Sequence, residues 1–369
     1  MKKIQMVDLQ TQYQHIKEDI DRGIAEVIAS SAFIKGPQVT AFQEHLATYT
    51  GAKHVIGVGN GTDALQIALM ALGLKPGDEV ITPTFTFIAT AEVVALLGLT
   101  PVVVDVDWET MNISVEGIKR AITPKTKAIV PVHLFGQCAN MEAILLIAKA
   151  HKLYVVEDAC QAIGAKYKGR QAGTMGDIGC TSFFPSKNLG CYGDGGALFT
   201  NDDALAEKIR AIANHGCFVR YHHDYVGVNS RLDSIQAAIL DAKLPHLDEY
   251  IANRRRAAAY YDKAFAGNPH ILTPGHESDS THVYHQYTLR LIDVNRDKVK
   301  AYLAEHDIPA MVYYPIPLHL QKAYQDPRYK AGDFPVAERL MNCVLSLPMH
   351  TELDEVQLEY ITRHVIEAL

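Results

Sequence analysis

The chain has 369 residues, more than one ordinary globular domain needs, so a large domain with a smaller companion is the starting expectation. Hydrophobic residues make up 48% and charged ones 21%, which excludes a disordered, low-complexity or collagen-like chain. The net charge of −7 gives no global attraction to nucleic acid or to anionic lipid, so neither is expected as a partner.

The amino end carries Lys2 and Lys3 but turns polar from Gln10, so it lacks the apolar core of a secretory leader. No apolar run reaches the length of a membrane span. From residue 53 to about 200, short β-branched runs alternate with helical stretches, the pattern of an α/β domain whose mostly parallel central sheet is sandwiched by helices. Strands are expected at His54–Val58, Glu79–Thr82, Pro101–Asp105, Thr126–Pro131, Leu153–Glu157, Cys180–Phe184 and Gly196–Thr200. Helices are expected at Asp63–Leu72, Ala89–Leu97, Val115–Ala121 and Met141–His151. Interior strands are apolar on both faces, and catalytic groups should gather at their carboxyl ends.

After Leu232 a helical pattern runs to about Phe265, with Pro245 kinking or dividing it and Arg254–Arg256 on its solvated side. The domain boundary is placed near residue 245, giving a large domain over 1–245 and a small α+β domain over 246–369. In the small domain Tyr284–Leu291 and Ala310–Tyr314 read as strands, Arg296–His306 and Asp354–Ala368 as helices. The six cysteines are scattered without a C-x-x-C pair, as reduced buried thiols of a cytoplasmic enzyme would be. No cluster of His, Asp or Glu has metal spacing, so no catalytic metal is expected.

Three segments carry chemistry. Gly57-Val-Gly-Asn-Gly-Thr-Asp63 follows a strand and opens a helix, presenting free N–H groups and a positive helix end to an anion such as phosphate. A plain glycine turn capped by Thr62 or Asp63 is the other reading; a dinucleotide fingerprint is not, because the spacing differs from G-x-G-x-x-G. Leu153-Tyr-Val-Val-Glu-Asp158 delivers a carboxylate at a strand end, either as a helix cap or as a functional group. Lys187, in a loop with Phe183, Phe184, Pro185 and Leu189, is either a solvated charge or a desolvated amine usable as a nucleophile.

A phosphate cradle, a carboxylate and a semi-buried lysine are the groups that pyridoxal phosphate requires. The lysine holds the aldehyde, the carboxylate keeps the ring nitrogen protonated, and the helix end neutralises the phosphate. An aromatic face is the expected fourth part, and Phe85 and Phe87 are both available for it.

Asn60-Gly-Thr-Asp-Ala64, Glu157-Asp-Ala159, Ser182-Phe-Phe-Pro-Ser-Lys187, Gly193-Asp-Gly-Gly196 and Gly227-Val-Asn-Ser-Arg-Leu-Asp233 occur in this order. With Val7-Asp-Leu9, Gly36-Pro37 and Ser346-Leu-Pro-Met-His350 they make the chain resemble the DegT/StrS-type nucleotide-sugar aminotransferases, fold type I enzymes using pyridoxal 5′-phosphate. The resemblance implies that Lys187 joins the cofactor as a Schiff base, Asp158 pairs with its ring nitrogen and Phe87 stacks on the ring. Gln161 then approaches the ring hydroxyl, and Gly61, Thr62 and Ser182 hold the phosphate. It also implies a homodimer in which Asn229 reaches the partner's cofactor phosphate. Relatives that dehydrate sugars replace the lysine by histidine, so Lys187 argues for amino transfer, with an amino acid such as L-glutamate as donor.

The run Phe183 to Gly196 is similar to the branch acting on UDP-2-acetamido-2-deoxy-3-oxo-glucuronate. In that branch Arg231 would grip the sugar carboxylate, Tyr313 and Tyr314 would line the sugar pocket, and Lys35 would approach the nucleotide. Arg231 could equally make a structural ion pair with Asp233. Tyr313 departs from the branch, which commonly has histidine there. His215 and His222–His223 lie in a polar segment that could cover the site.

Overall fold

The computed structural model describes residues 2–369. Its centre is a seven-stranded sheet built from β1 (His54–Val58), β2 (Glu79–Pro83), β3 (Thr100–Val104), β4 (Thr126–Ile129), β5 (Tyr154–Asp158), β6 (Ile178–Ser182) and β7 (Gly196–Thr200), in the order β1-β7-β6-β5-β4-β2-β3. The steps from β3 through β2, β4 and β5 to β6 are parallel. β7 runs antiparallel to both β6 and β1, which returns β1 to the direction of its parallel neighbours. Consequently the carboxyl ends of β1, β2, β5 and β6 lie along one edge.

Every residue of β6 and β7 is buried, as a sheet covered on both faces requires. One covering layer contains Phe42, Leu46, Ile144, Leu240 and Leu244; the other contains Leu65, Ile67, Val94, Ile209 and Ile212. The helices behind the active edge have local reasons to start where they do. Asn60 caps Gly61–Ala71, Asn140 caps Met141–His151 and Asp202 caps Asp203–Ala213, each side chain accepting a backbone N–H of the first turn.

A second core gathers Tyr287, Leu289, Leu303, Leu345 and Ile361, together with Ile4 from the amino end. Its sheet is antiparallel and three-stranded: Ile271–Leu272, Tyr287–Leu291 and Val344–Leu347. Pro245 sits in a 3-10 turn, Leu244–His246, that divides the helices Ser234–Lys243 and Leu247–Phe265.

Two expectations are corrected here. Ala310–Tyr314 is not a strand; only Met311 pairs, exchanging backbone hydrogen bonds with Ser346 at 3.0 and 2.7 Å. Arg254 is not solvated. It is 2% exposed, and its Nη1 donates to the carbonyls of Tyr284, His285 and Met349, while Arg255 and Arg256 remain at the surface. Those carbonyls come from loops about 30 and 95 residues away, which local periodicity does not reveal.

Among the described residues no helix is long and apolar enough to cross a membrane, and no group of three His, Cys, Asp or Glu side chains could hold a metal ion.

Candidate active site

At the carboxyl edge of the sheet lies a cavity of about 760 Å³. The chain leaves β1 through Gly59 and Asn60, and Asn60 Oδ1 accepts the N–H of Asp63 at 2.8 Å. That cap turns the first N–H groups of the helix Gly61–Ala71 toward the cavity with the positive end of the helix behind them. A side chain at Gly61 would place its Cβ 2.8 Å from both Cys160 Sγ and Ser182 Cβ. Only glycine lets the helix start press against the end of β6.

Asp158, the last residue of β5, is 6% exposed and lines the cavity. Thr90 Oγ1 donates to its Oδ2 at 2.8 Å, and the Cys160 N–H donates to Oδ1 at 3.2 Å. Gln161 forms part of the wall: its Oε1 accepts from the Phe135 N–H at 2.8 Å and its Nε2 donates to Tyr314 Oη at 3.0 Å. Tyr314 in turn lies between Phe85, edge-on, and Phe135, stacked. Phe85 is fully buried there, whereas Phe87 is 55% exposed and lines the cavity, so of the two aromatics only Phe87 can offer a face.

Lys187 lines the same space. Burial pushes its ammonium below the ordinary lysine range, with the Asp158 charge opposing part of that shift. The loop carrying it is tight: the Lys187 N–H donates to Phe184 O at 2.8 Å, and a Cβ on Gly190 would meet Pro185 O at 2.3 Å. Phe184 borders the cavity, but Phe183 points the other way, into the large core against Phe42. The aromatic surroundings read for Lys187 are therefore one-sided.

The family described as DegT/DnrJ/EryC1/StrS aminotransferases matches residues 14–366. This chain belongs to that family. A UDP-2-acetamido-2-deoxy-3-oxo-D-glucuronate aminotransferase of Pseudomonas aeruginosa is 51% identical over 97% of this chain and 98% of its own length. A pleiotropic regulatory protein of Geobacillus stearothermophilus is 50% identical over 99% of this chain and 98% of its own. The crystal structure of NtdA from Bacillus subtilis with bound cofactor PMP superposes with a TM-score of 0.90 at 34% identity, covering 98% of this chain and 83% of that one.

As DegT/DnrJ/EryC1/StrS aminotransferases, members of the family work with pyridoxal phosphate, and the residues present here fit that group. The helix start at Gly61 and Thr62, with Ser182 beside it, suits a phosphate. Asp158, anchored through both oxygens by Thr90 and Cys160, suits a protonated ring nitrogen. Phe87 suits the ring face, and Lys187 the aldehyde.

Nine residues singled out from the sequence meet in this one cavity: Gly61, Thr62, Phe87, Asp158, Gln161, Ser182, Lys187, Tyr313 and Tyr314. Three do not. Lys35 and Arg231 line a separate hollow of about 270 Å³ together with Arg210, and Asn229 bridges through its backbone to Asn214. Among the described residues Arg231 has no ion-pair partner, and Asp233 instead precedes the helix Ser234–Lys243. The histidine segment forms an exposed hairpin, Cys217–Val219 against His222–His223, that does not line this chain's cavity. Thr90, Cys160, Asp194 and His285 belong to the site without having been singled out. Thr90 had a local signal, since it lies just beyond Phe87 in the segment that follows β2; His285 had none.

Proposed function

We propose that this protein is a pyridoxal 5′-phosphate-dependent aminotransferase moving an amino group from L-glutamate to UDP-2-acetamido-2-deoxy-3-oxo-glucuronate, in the making of an amino sugar for surface polysaccharide. The observation that carries the reading is the meeting of desolvated Lys187 with Asp158, Phe87 and the Gly61 helix start around one cavity. When bound, the cofactor supplies an electron sink that makes the carbon bearing the amino group acidic.

The chain's own residues do the rest. Asp158, fixed by Thr90 and Cys160, keeps a negative charge where the sink needs a proton held. Lys187 Nζ, neutral at a lower pH than an exposed lysine, takes the proton from the α-carbon of the donor. In the second half it delivers a proton to the sugar carbon that receives nitrogen. Gly61, Thr62 and Ser182 hold the phosphate, Phe87 the ring face and Gln161 the side bearing the ring hydroxyl; Tyr313 and Tyr314 line the sugar's place.

The same reading has the chain act as a homodimer. A second copy would bring Asn229 to the cofactor phosphate, Arg231 to the sugar carboxylate and Lys35 to the nucleotide, which accounts for three polar side chains that have no partner among the described residues. It also divides the chain at residue 245, with the carboxyl-terminal part closing over the cavity through Tyr313 and Tyr314. A neutral 3-keto or a 4-keto nucleotide sugar is the alternative substrate. A cofactor-binding regulator without turnover, the reading from another class, would hold the cofactor through the same lysine but would yield no 2-oxo acid from an amino acid.

The test is the pair of half-reactions. Glutamate alone should yield 2-oxoglutarate, the keto sugar should then gain an amino group seen by mass, and Lys187→Ala should do neither. Failure of glutamate and other amino acids to yield any 2-oxo acid would sink the reading.

A further inference from the structure

His285 lines the Lys187 cavity, is 7% exposed, and has an Nδ1 that is shielded from solvent without any hydrogen-bond partner. Its ring makes no hydrogen bond to any described residue. An imidazole left so is costly unless a ligand completes it.

The surrounding backbone is built to present this ring. Tyr284, immediately before it, adopts φ 47°, a left-handed conformation that a bulky residue keeps only where its neighbours enforce it. The enforcement is visible. Buried Arg254 Nη1 donates to Tyr284 O at 3.0 Å and to His285 O at 3.4 Å. Asn188, the residue after the reactive lysine, donates from Nδ2 to Val283 O at 2.8 Å, tying this segment to the Lys187 loop. The Val283 N–H donates to Gly136 O and the Gln286 N–H to Phe135 O, closing the segment on both sides of His285.

We propose that His285 is a further catalytic residue of this site, its imidazole hydrogen-bonding the ketone oxygen of the nucleotide sugar beside Lys187. The inference rests on the keto-sugar reading and goes one step beyond it. In amino transfer the ketone carbon exchanges its oxygen for nitrogen, and that oxygen leaves as water, so a donor at this atom assists the exchange. The amino-acid donor is the poorer match. It presents carboxylates, which call for a cation, whereas burial and the facing positive charges of Lys187 and Arg254 hold His285 neutral, well below its ordinary range. A neutral imidazole suits a neutral oxygen.

The experiment compares His285→Phe and His285→Gln with the native holoenzyme in separated half-reactions, with thermal melting and cofactor titration of the apoprotein alongside. The expected result is a fall of about 100-fold in the sugar half-reaction for His285→Phe, about tenfold for His285→Gln, and less than about threefold in the glutamate half-reaction for both. Cofactor affinity should stay within about threefold of native. Equal falls in both halves, or no fall in the sugar half, overturn the inference. Should the Phe variant not fold, the Gln variant decides alone by the ratio of its two half-rates. A native enzyme that aminates no keto sugar overturns the substrate reading and this inference with it.

Discussion

Thr90 Oγ1 donates to Asp158 Oδ2 at 2.8 Å from the first turn of the helix Ala89–Leu96, just beyond Phe87. The strand-end segment after β2 thus supplies both the aromatic face and the group that aims the carboxylate. With the Cys160 N–H on the other oxygen, the plane of the Asp158 carboxylate is held from both sides. Hydrogen bonds to charged groups contribute about 1.5–3 kcal/mol, so Thr90→Val is expected to weaken cofactor binding by tenfold or more while the fold holds. An absorbance titration of the apoprotein measures it. Unchanged affinity would show that the contact does not orient the carboxylate.

How legible this site was follows from how local each signal is. Asp158 ends an apolar strand, Gly61 follows one through Gly59, and Lys187 lies in the proline-containing loop after another, so each is marked by its own neighbours. His285 and Arg254 escape such a reading because what gives them meaning lies about 100 and 30 residues away, at Asn188 and Tyr284. The small sheet shows the same limit. Ala310–Tyr314 looks β-prone but is flanked by Pro309 and Pro315, and only Met311 pairs; its partner strand Val344–Leu347 is too short to announce itself.

Lys243 offers a stability test. It is 1% exposed, donates to Gly190 O at 2.8 Å and lies 4.4 Å from the centre of the Tyr192 ring. Burial lowers it from 10.5 to about 8. Between those two values the unfolded chain binds more protons, so this group makes stability rise with pH across that window. At neutral pH the buried cation costs about 3 kcal/mol relative to the neutral amine, partly offset by its contacts. Lys243→Met is therefore expected to be at least as stable as native at pH 7 and to fall behind as the pH approaches 10.5. Urea midpoints across that range measure the slope, and parallel curves would contradict it.

Arg231 lies with Lys35 and Arg210 in a hollow that holds no carboxylate. If a second copy presents it to the sugar acid, Arg231→Ala should raise KM for the uronate sugar by an amount corresponding to about 2–5 kcal/mol and leave the neutral C6-alcohol analogue nearly unaffected. Arg231→Lys should recover only part, lacking the planar two-pronged grip. Steady-state kinetics with both sugars decide it; equal losses on the two would rule out carboxylate recognition.

Glu157, beside Asp158, is fully buried and accepts the N–H groups of Gly173 at 2.9 Å and of Met175 and Gly176 at 2.6 Å, with His133 Nε2 at 2.8 Å. The Ala139 N–H donates to His133 Nδ1 at 3.1 Å, which leaves the proton on Nε2 and makes the imidazole a neutral donor to an ionised carboxylate. Burial alone would raise the Glu157 pKa; the His133 bond and the Gly176 and Gly173 N–H groups outweigh it and bring it below 4.5. A depressed carboxylate contributes stability that is complete above the unfolded value and is lost as pH falls through the folded one. Glu157→Gln turns an NH2 group either on the Gly173 N–H and His133 Nε2 or on the Met175 and Gly176 N–H groups, a clash of donors in each case, and is expected to lose about 3–5 kcal/mol at neutral pH. It should also lose less than native on acidification below about pH 4, because the titrating group is gone. Chemical denaturation at neutral and acid pH tests both parts, and a variant with native stability at neutral pH would mean that this buried charge does not hold the end of β5 that carries Asp158.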